Sequence, residues 1–194
     1  FQSKEITEIH PVRRVYPLSG FHILLDAYAQ ALKQETPLQL KAFMIEHGQK
    51  YFGLTAKTAK NIWTALTNEK PLNDKKRVQS AIQKARQSIS LLAKIKAKRH
   101  ADQIYHLQLM ANLRLHSLLF VQIEEEIQKQ GSKNKIPLYL RKLKSLSLKS
   151  SFLKKRFIQL NQNWMYPDEL QKEIQYRFQQ IDLLIARLSQ RGKS

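Results

Sequence analysis

Residues 74–130 read DKKRVQSAIQKARQSISLLAKIKAKRHADQIYHLQLMANLRLHSLLFVQIEEEIQKQ and contain neither glycine nor proline. Because these two residues are the strongest helix breakers, the run predicts helix throughout. A single straight helix of this length would measure about 85 Å, which favours either one long central helix or a helical hairpin. Apolar residues form one narrow stripe from Val78 to Leu92 but occupy most faces from Ile104 to Ile123. This change of character places a kink or a short connection at residues 96–102.

The flanking segments show the same helical spacing of apolar residues, and the whole chain has only five Gly and six Pro. The predicted fold class is therefore all-α, a multi-helix bundle. In the first part, Thr36 is predicted to cap the N-terminus of a second helix, with Pro37 as its first residue. Thr55 is predicted to cap a third helix. In the last part, the four serines within 145–151 predict a turn, and Pro167 predicts the start of the final helix.

These breaks divide the chain into five segments. Residues 1–3 resemble the remnant of a cleavable affinity tag, and residues 4–20 form a basic arm. Residues 21–70 are predicted as a three-helix unit, 71–130 as the long helix or hairpin, and 131–194 as basic helices that pack on it. No Met stands near Lys4, which indicates that an upstream region was removed. The chain has no Cys, which fits a reducing compartment, and we expect a cytoplasmic location.

Charge is the strongest compositional signal. The chain has 34 Lys and Arg against 15 Asp and Glu, a formal charge of +19. Nine basic residues and no acid lie between Asp74 and Asp102, and ten basic residues and no acid lie between Glu126 and Asp168. Because neither window contains local ion-pair partners, its charges must be solvated, paired with distant acids, or offered to an external anion. The sequence therefore predicts a non-catalytic protein that binds nucleic acid, RNA or DNA, mainly through its phosphates.

Residues from both windows and from the basic arm make up the predicted contact set. It consists of Arg13, Arg14, Lys94, Lys96, Lys98, Arg99, Lys133, Lys135, Arg141, Lys142, Lys144, Lys154, Lys155 and Arg156. Aromatic residues lie among these cations, and exposed rings stack on unpaired bases. The predicted stacking residues are Tyr16, Tyr139 and Trp164, whereas Phe157 and Phe178 are assigned to the core.

Two other interpretations use the same charge. The basic surface could dock an acidic partner within a larger assembly, or attach to an anionic membrane surface. The apolar run from Ile104 to Ile123 is itself interrupted by His106, Arg114 and His116, which predicts a buried helix and not a membrane span. The three helices of residues 21–70 also fit a helix-turn-helix DNA reader that exposes Lys57, Lys60 and Asn61, although an ordinary helical bundle is the favoured explanation.

One short motif points to catalysis. Arg99 and His106, with six residues between them, resemble the Arg-x4-6-His signature of the HEPN ribonucleases. The resemblance implies metal-independent cleavage of RNA, with His106 as the acid-base residue and Arg99 stabilising phosphate charge. No histidine or carboxylate spacing indicates a metal site, and nothing in the sequence indicates a cofactor or a small-molecule substrate.

Overall fold

The structure is a computed structural model that describes residues 22–33, 36–67, 78–130, 133–163 and 165–191. Within these ranges 88% of the residues are helical and none lies in a strand, which confirms the all-α fold class. The predicted tag remnant and basic arm lie outside the described residues. None of the described helices has the combination of length and apolar character needed to cross a bilayer.

Within the described ranges, seven α-helices and one short turn of 3₁₀ helix follow one another. They are α1 (His22–Lys33), α2 (Leu40–Phe52), α3 (Ala56–Thr67), α4 (Val78–Ala93), α5 (Ala101–Gln130), the 3₁₀ turn (Lys133–Lys135), α6 (Ile136–Asn161) and α7 (Pro167–Arg191). Each α-helix packs on the next one in the chain. The predicted boundaries at residues 70 and 130 do not coincide with gaps in the core, because α3 and α4 share one apolar cluster and α5 and α6 share two. The division of the chain into units stays a prediction.

The long run without glycine or proline forms a hairpin and not one helix. Ile82 packs with Leu118 in one cluster, whereas Leu92 packs with Ile104 in another, so α4 and α5 are antiparallel. Residues 94–100 connect them and overlap the break predicted at residues 96–102, of which 101 and 102 already belong to α5. His100 takes a left-handed backbone conformation, with φ of 51°, that residues with a side chain seldom adopt.

Helix α5 contributes side chains to all four apolar clusters. Ile104 and Leu107 pack with α2, α3 and α4, whereas Leu109 packs with α6 and α7. Further along the helix, Leu118 contacts α4 and Ile123 contacts α6 and α7. This explains why the sequence of α5 is apolar on most faces: the helix is covered on opposite sides.

The helix starts predicted from capping residues are only partly correct. Thr55 caps α3 as predicted, since its Oγ1 accepts the N–H of Thr58 at 3.3 Å, and Pro167 begins α7. The prediction at Thr36 and Pro37 is wrong, because α2 begins at Leu40. Residues 37–39 are non-helical, and this backbone path brings Leu38 against the first apolar cluster.

The turn predicted at residues 145–151 is also wrong, because α6 continues from Ile136 to Asn161 without a break. Leu146, Ser150 and Leu153 are buried at helical spacing, so tertiary packing maintains the helix through its serines. Ser150 donates its hydroxyl to the carbonyl of Leu146 at 3.1 Å, and the buried ring of His116 on α5 lies 2.7 Å from the same hydroxyl. These two contacts satisfy the buried hydroxyl, so Ser150 is accommodated inside the helix without an unpaired polar group.

Candidate nucleic-acid interface

The second basic window lies mostly on α6, and the helix presents part of it directly away from the core. Tyr139, Leu143, Leu146, Ser150, Leu153, Phe157 and Asn161 form the buried stripe of α6. At 100° per residue, Arg141, Lys144 and Lys155 lie on the opposite side, and all three are exposed. Among the described residues, no ion pair involves these three side chains. They form a row about 21 Å long, at 1.5 Å per residue.

Two large apolar side chains lie between these cations. Leu148 is 76% exposed and Phe152 is 71% exposed, one helical turn apart. Sequence reasoning missed both, because the predicted turn at 145–151 placed Leu148 outside any helix. A helical wheel drawn through one unbroken helix would have found them, since they fall opposite the stripe of Leu143, Leu146 and Leu153.

A groove between α5 and α6 adjoins this row. It encloses about 500 Å³, and its lining includes Arg141, Lys142, Ser145 and Lys149 from α6. Glu126 of α5 lines the other side and pairs with Lys142 at 2.5 Å. One predicted phosphate contact is therefore neutralised locally. Lys149 belongs to the acid-free window but was not among the predicted contacts, and it adds an exposed charge to the groove.

Near the C-terminal end of α6, two of the predicted cations lie against aromatic rings. The guanidinium of Arg156 lies 5.0 Å from the ring centre of Tyr105 on α5 and donates to Gln159 at 3.0 Å. The ammonium of Lys154 lies 5.5 Å from the ring centre of Phe178 on α7. Such contacts orient a cation while leaving its charge intact.

The first basic window reaches the same end of α5 through the connection at residues 94–100. Lys94, Lys96 and Lys98 are exposed there. Arg99 has a structural role instead, because its guanidinium donates to the backbone carbonyl of Lys50 in the last turn of α2. A cation at a helix C-terminus is favoured by the helix dipole.

The other predicted contacts are only partly accounted for. Lys135 is exposed, and Lys133 lies in the 3₁₀ turn. Arg13, Arg14, Tyr16 and Trp164 lie outside the described residues.

The stacking role predicted for Tyr139 is wrong. The residue is 2% exposed, and its hydroxyl donates to the carbonyl of Glu126 at 3.2 Å. Its ring belongs to the cluster between α5, α6 and α7, so a base cannot reach it. The sequence interpretation failed because Tyr139 is in phase with Leu143 and Leu146 on the buried stripe.

The two residues of the HEPN-like motif, Arg99 and His106, are both engaged within the protein. His106 is 1% exposed, and burial, the largest effect, lowers its pKa. Arg99 is held at the end of α2, on the connection that precedes α5. A buried neutral imidazole and a guanidinium engaged with the protein backbone do not present an acid-base pair to RNA. In the described part of the chain, no three potential metal-ligating side chains are grouped either.

Because histidines are buried in the core, we expect the free energy of unfolding to depend on pH. Burial, followed by Lys149 and Lys154, lowers the pKa of His116, so the unfolded chain binds more protons than the folded chain as pH falls. We expect the free energy of unfolding to decrease between about pH 7 and pH 5, around the ordinary histidine pKa of about 6.5. Urea unfolding of the chain and of His116→Gln across this range measures the effect. The variant should show a shallower pH dependence, and identical dependences would contradict the assignment.

Comparisons of the chain with protein-family models, with curated proteins and with solved structures gave no match. Function is therefore argued from the chemistry of the described surfaces. The exposed row on α6 and its adjoining groove contain four exposed cations without an ion-pair partner among the described residues: Arg141, Lys144, Lys149 and Lys155.

Proposed function

We propose that this protein binds nucleic acid without catalysis and that the outward face of α6 is its main contact surface. The observation that carries the proposal is the row of Arg141, Lys144 and Lys155, three exposed cations with no ion-pair partner among the described residues. Solvated surface charge in a folded protein is usually accompanied by acids. Here the ten cations between Glu126 and Asp168 have no acid among them in sequence.

Phosphate binding accounts for the chemistry of this row. Each Lys or Arg that neutralises a phosphate releases condensed counterions, and the gain in solvent entropy drives association. A row of about 21 Å matches the length of about six nucleotides in one strand of a B-form duplex, at about 3.4 Å each. The cations that line the neighbouring groove, Arg141 and Lys149, widen the positive surface beyond a single line.

The exposed phenyl ring extends the proposal to unpaired bases. A base stacked on an aromatic side chain contributes about 1–3 kcal/mol and requires no particular sequence. Phe152 lies between Lys149 and Lys155 on α6, so a base over its ring would leave the adjacent phosphates near both ammonium groups. Leu148, one turn away, offers a second apolar contact of the same kind.

The exposed lysines of the α4–α5 connection provide a further set of contacts. Lys94, Lys96 and Lys98 lie at the end of α5 where Tyr105 supports Arg156 of α6. The last residues of each basic window therefore lie near the N-terminal end of α5. We assign these lysines to backbone attraction, because an ammonium group is a compact point charge that suits phosphate binding.

The salt dependence of binding tests the proposal. We expect labelled single-stranded and duplex oligonucleotides to bind the chain, with log K falling linearly against log salt concentration between about 50 and 200 mM. Fluorescence anisotropy gives K at each concentration, and a slope of about −3 or steeper corresponds to three or more phosphate contacts. Weak binding at low salt that does not respond to salt would refute the proposal.

A second candidate function is the docking of an acidic protein partner in a larger assembly. Leu148 and Phe152 favour it, because exposed apolar anchors surrounded by cations also suit the apolar face of an acidic amphipathic helix. Pull-down with the chain from nuclease-treated and untreated lysate separates the two functions. Protein partners that survive nuclease support assembly, whereas their loss supports nucleic acid.

A further inference from the structure

A second surface on this chain has the form of a DNA-reading element. Helices α2 and α3 are joined by only three residues, 53–55, and Gly53 ends α2 in the left-handed conformation with φ of 66°. Short turns that contain glycine are typical of the helix-turn-helix motif, in which the second helix enters the major groove of DNA.

The two helices approach each other closely at one crossing point. A Cβ placed on Gly48 of α2 would lie 2.6 Å from the Cβ of Ala59 on α3, which is shorter than any real contact. Gly48 and Ala59 are therefore the small residues at the helix crossing. Ile62, buried one turn after Ala59, continues the packed side of α3.

The turn is also held in place from outside. The backbone N–H groups of Lys98 and Arg99 donate to the carbonyl of Phe52, at 3.0 and 3.4 Å. A Cβ on Gly53 would lie 3.2 Å from the Cβ of Lys98, so the α4–α5 connection packs directly on the turn. This bracing fixes the orientation of α3, and preorganised elements lose less entropy on binding.

The outward side of α3 has the residue types that read base edges. Lys57 and Lys60 are exposed, and Asn61 and Thr64 are half-buried beside them. The helix contains no Asp or Glu. In the major groove, Lys donates to the N7 and O6 acceptors of guanine, and Asn pairs with adenine. The methyl group of Thr contacts the methyl group of thymine.

We propose that α2 and α3 form a helix-turn-helix element that inserts α3 into the major groove of duplex DNA. The inference rests on the proposed nucleic-acid function and specifies duplex DNA as its substrate class. A groove about 12 Å wide accommodates one α-helix with its side chains. Lys96 and Lys98, exposed on the connection that packs against the turn, then face the phosphates that flank the groove, while α6 adds contacts that do not depend on sequence.

A matched pair of charge variants in the full chain tests this element. Lys57→Gln with Lys60→Gln should weaken duplex binding about tenfold and leave single-strand binding within about twofold, because only the duplex has a major groove. The control is Lys172→Gln with Arg187→Gln, which removes the same charge from exposed positions on α7 and should leave both affinities within about twofold. Anisotropy with a duplex and one of its strands gives all the affinities, and unfolding curves check that the variants remain folded.

A duplex in which 7-deazaguanine replaces guanine provides an independent readout, since it lacks the N7 acceptor of the major groove. The unmodified chain should bind it several-fold more weakly than the ordinary duplex, and the Lys57, Lys60 variant should bind both equally. The inference is overturned, with the proposed function intact, if the unmodified chain binds in a salt-dependent way but the α3 variant and the modified duplex change nothing. Absence of any binding by the unmodified chain overturns both.

Discussion

Replacing Phe157 by Ala is expected to lower the free energy of unfolding by about 3–5 kcal/mol. Phe157 is 0% exposed and packs with Leu109, Leu153 and Phe178, where α5, α6 and α7 meet. The guanidinium of Arg177 also lies 5.6 Å from the centre of its ring. Truncation would remove the buried ring and leave a cavity that helices from three directions cannot fill.

The same helix offers a matched control. Phe152 lies five residues before Phe157 but is 71% exposed, so Phe152→Ala should change the free energy of unfolding by no more than about 0.5 kcal/mol. Urea unfolding of both variants, followed by circular dichroism, provides the comparison. Equal destabilisation of the two variants would contradict the orientation of α6 described above.

Removing the row on α6 is expected to produce the largest loss of binding. The triple variant Arg141→Gln, Lys144→Gln, Lys155→Gln should bind a labelled duplex about 100-fold more weakly at about 0.15 M salt, since each lost phosphate contact removes about 0.7 of a decade at this salt concentration. The slope of log K against log salt should become shallower by about 3, or about 1 per contact. Both quantities come from one anisotropy series.

A control triple variant on other helices distinguishes the loss of specific contacts from the loss of net charge. Lys41→Gln, Lys172→Gln, Arg187→Gln removes three exposed cations from α2 and α7, so its net charge equals that of the α6 variant. If α6 is the contact surface, this control should lose no more than about threefold in affinity, by weaker long-range attraction. Equal losses in the two variants would show that only the total charge matters and that α6 is not the site.

Much of the fold was predictable from local signals. The scarcity of glycine and proline and the three- and four-residue spacing of apolar side chains indicate helices, and Thr55 and Pro167 act at helix ends as their chemistry dictates. The break between α4 and α5 was predictable because the pattern of apolar residues changes there. A helix that is buried on one side has one apolar stripe, whereas a helix covered on opposite sides is apolar on most faces. The turn predicted at residues 145–151 was wrong. The low helix propensity of serine costs less free energy than the burial of Leu146, Ser150 and Leu153 contributes.

The candidate site was less predictable. The sequence identified the two acid-free windows, but it did not show that Arg99 serves the end of α2, that Lys142 pairs with Glu126 from another helix, or that Tyr139 is buried. Each of these outcomes depends on a neighbour that is 13 or more residues away in the chain. Phe152 and Leu148 were missed for a different reason, because the turn wrongly predicted at residues 145–151 interrupted the helical wheel that places them opposite the buried stripe.

The sequence by itself determined the helical class, the hairpin or long helix at its centre, and the excess of positive charge, because backbone propensity, apolar period and composition are local properties. Tertiary structure alone decided which cations face solvent together. Packing rotates each helix so that its apolar stripe is buried, and that rotation places Arg141, Lys144 and Lys155 outward, and Lys57 and Lys60 on the open side of α3. Charge adds up along a sequence, whereas a binding surface depends on how these rotations combine in space.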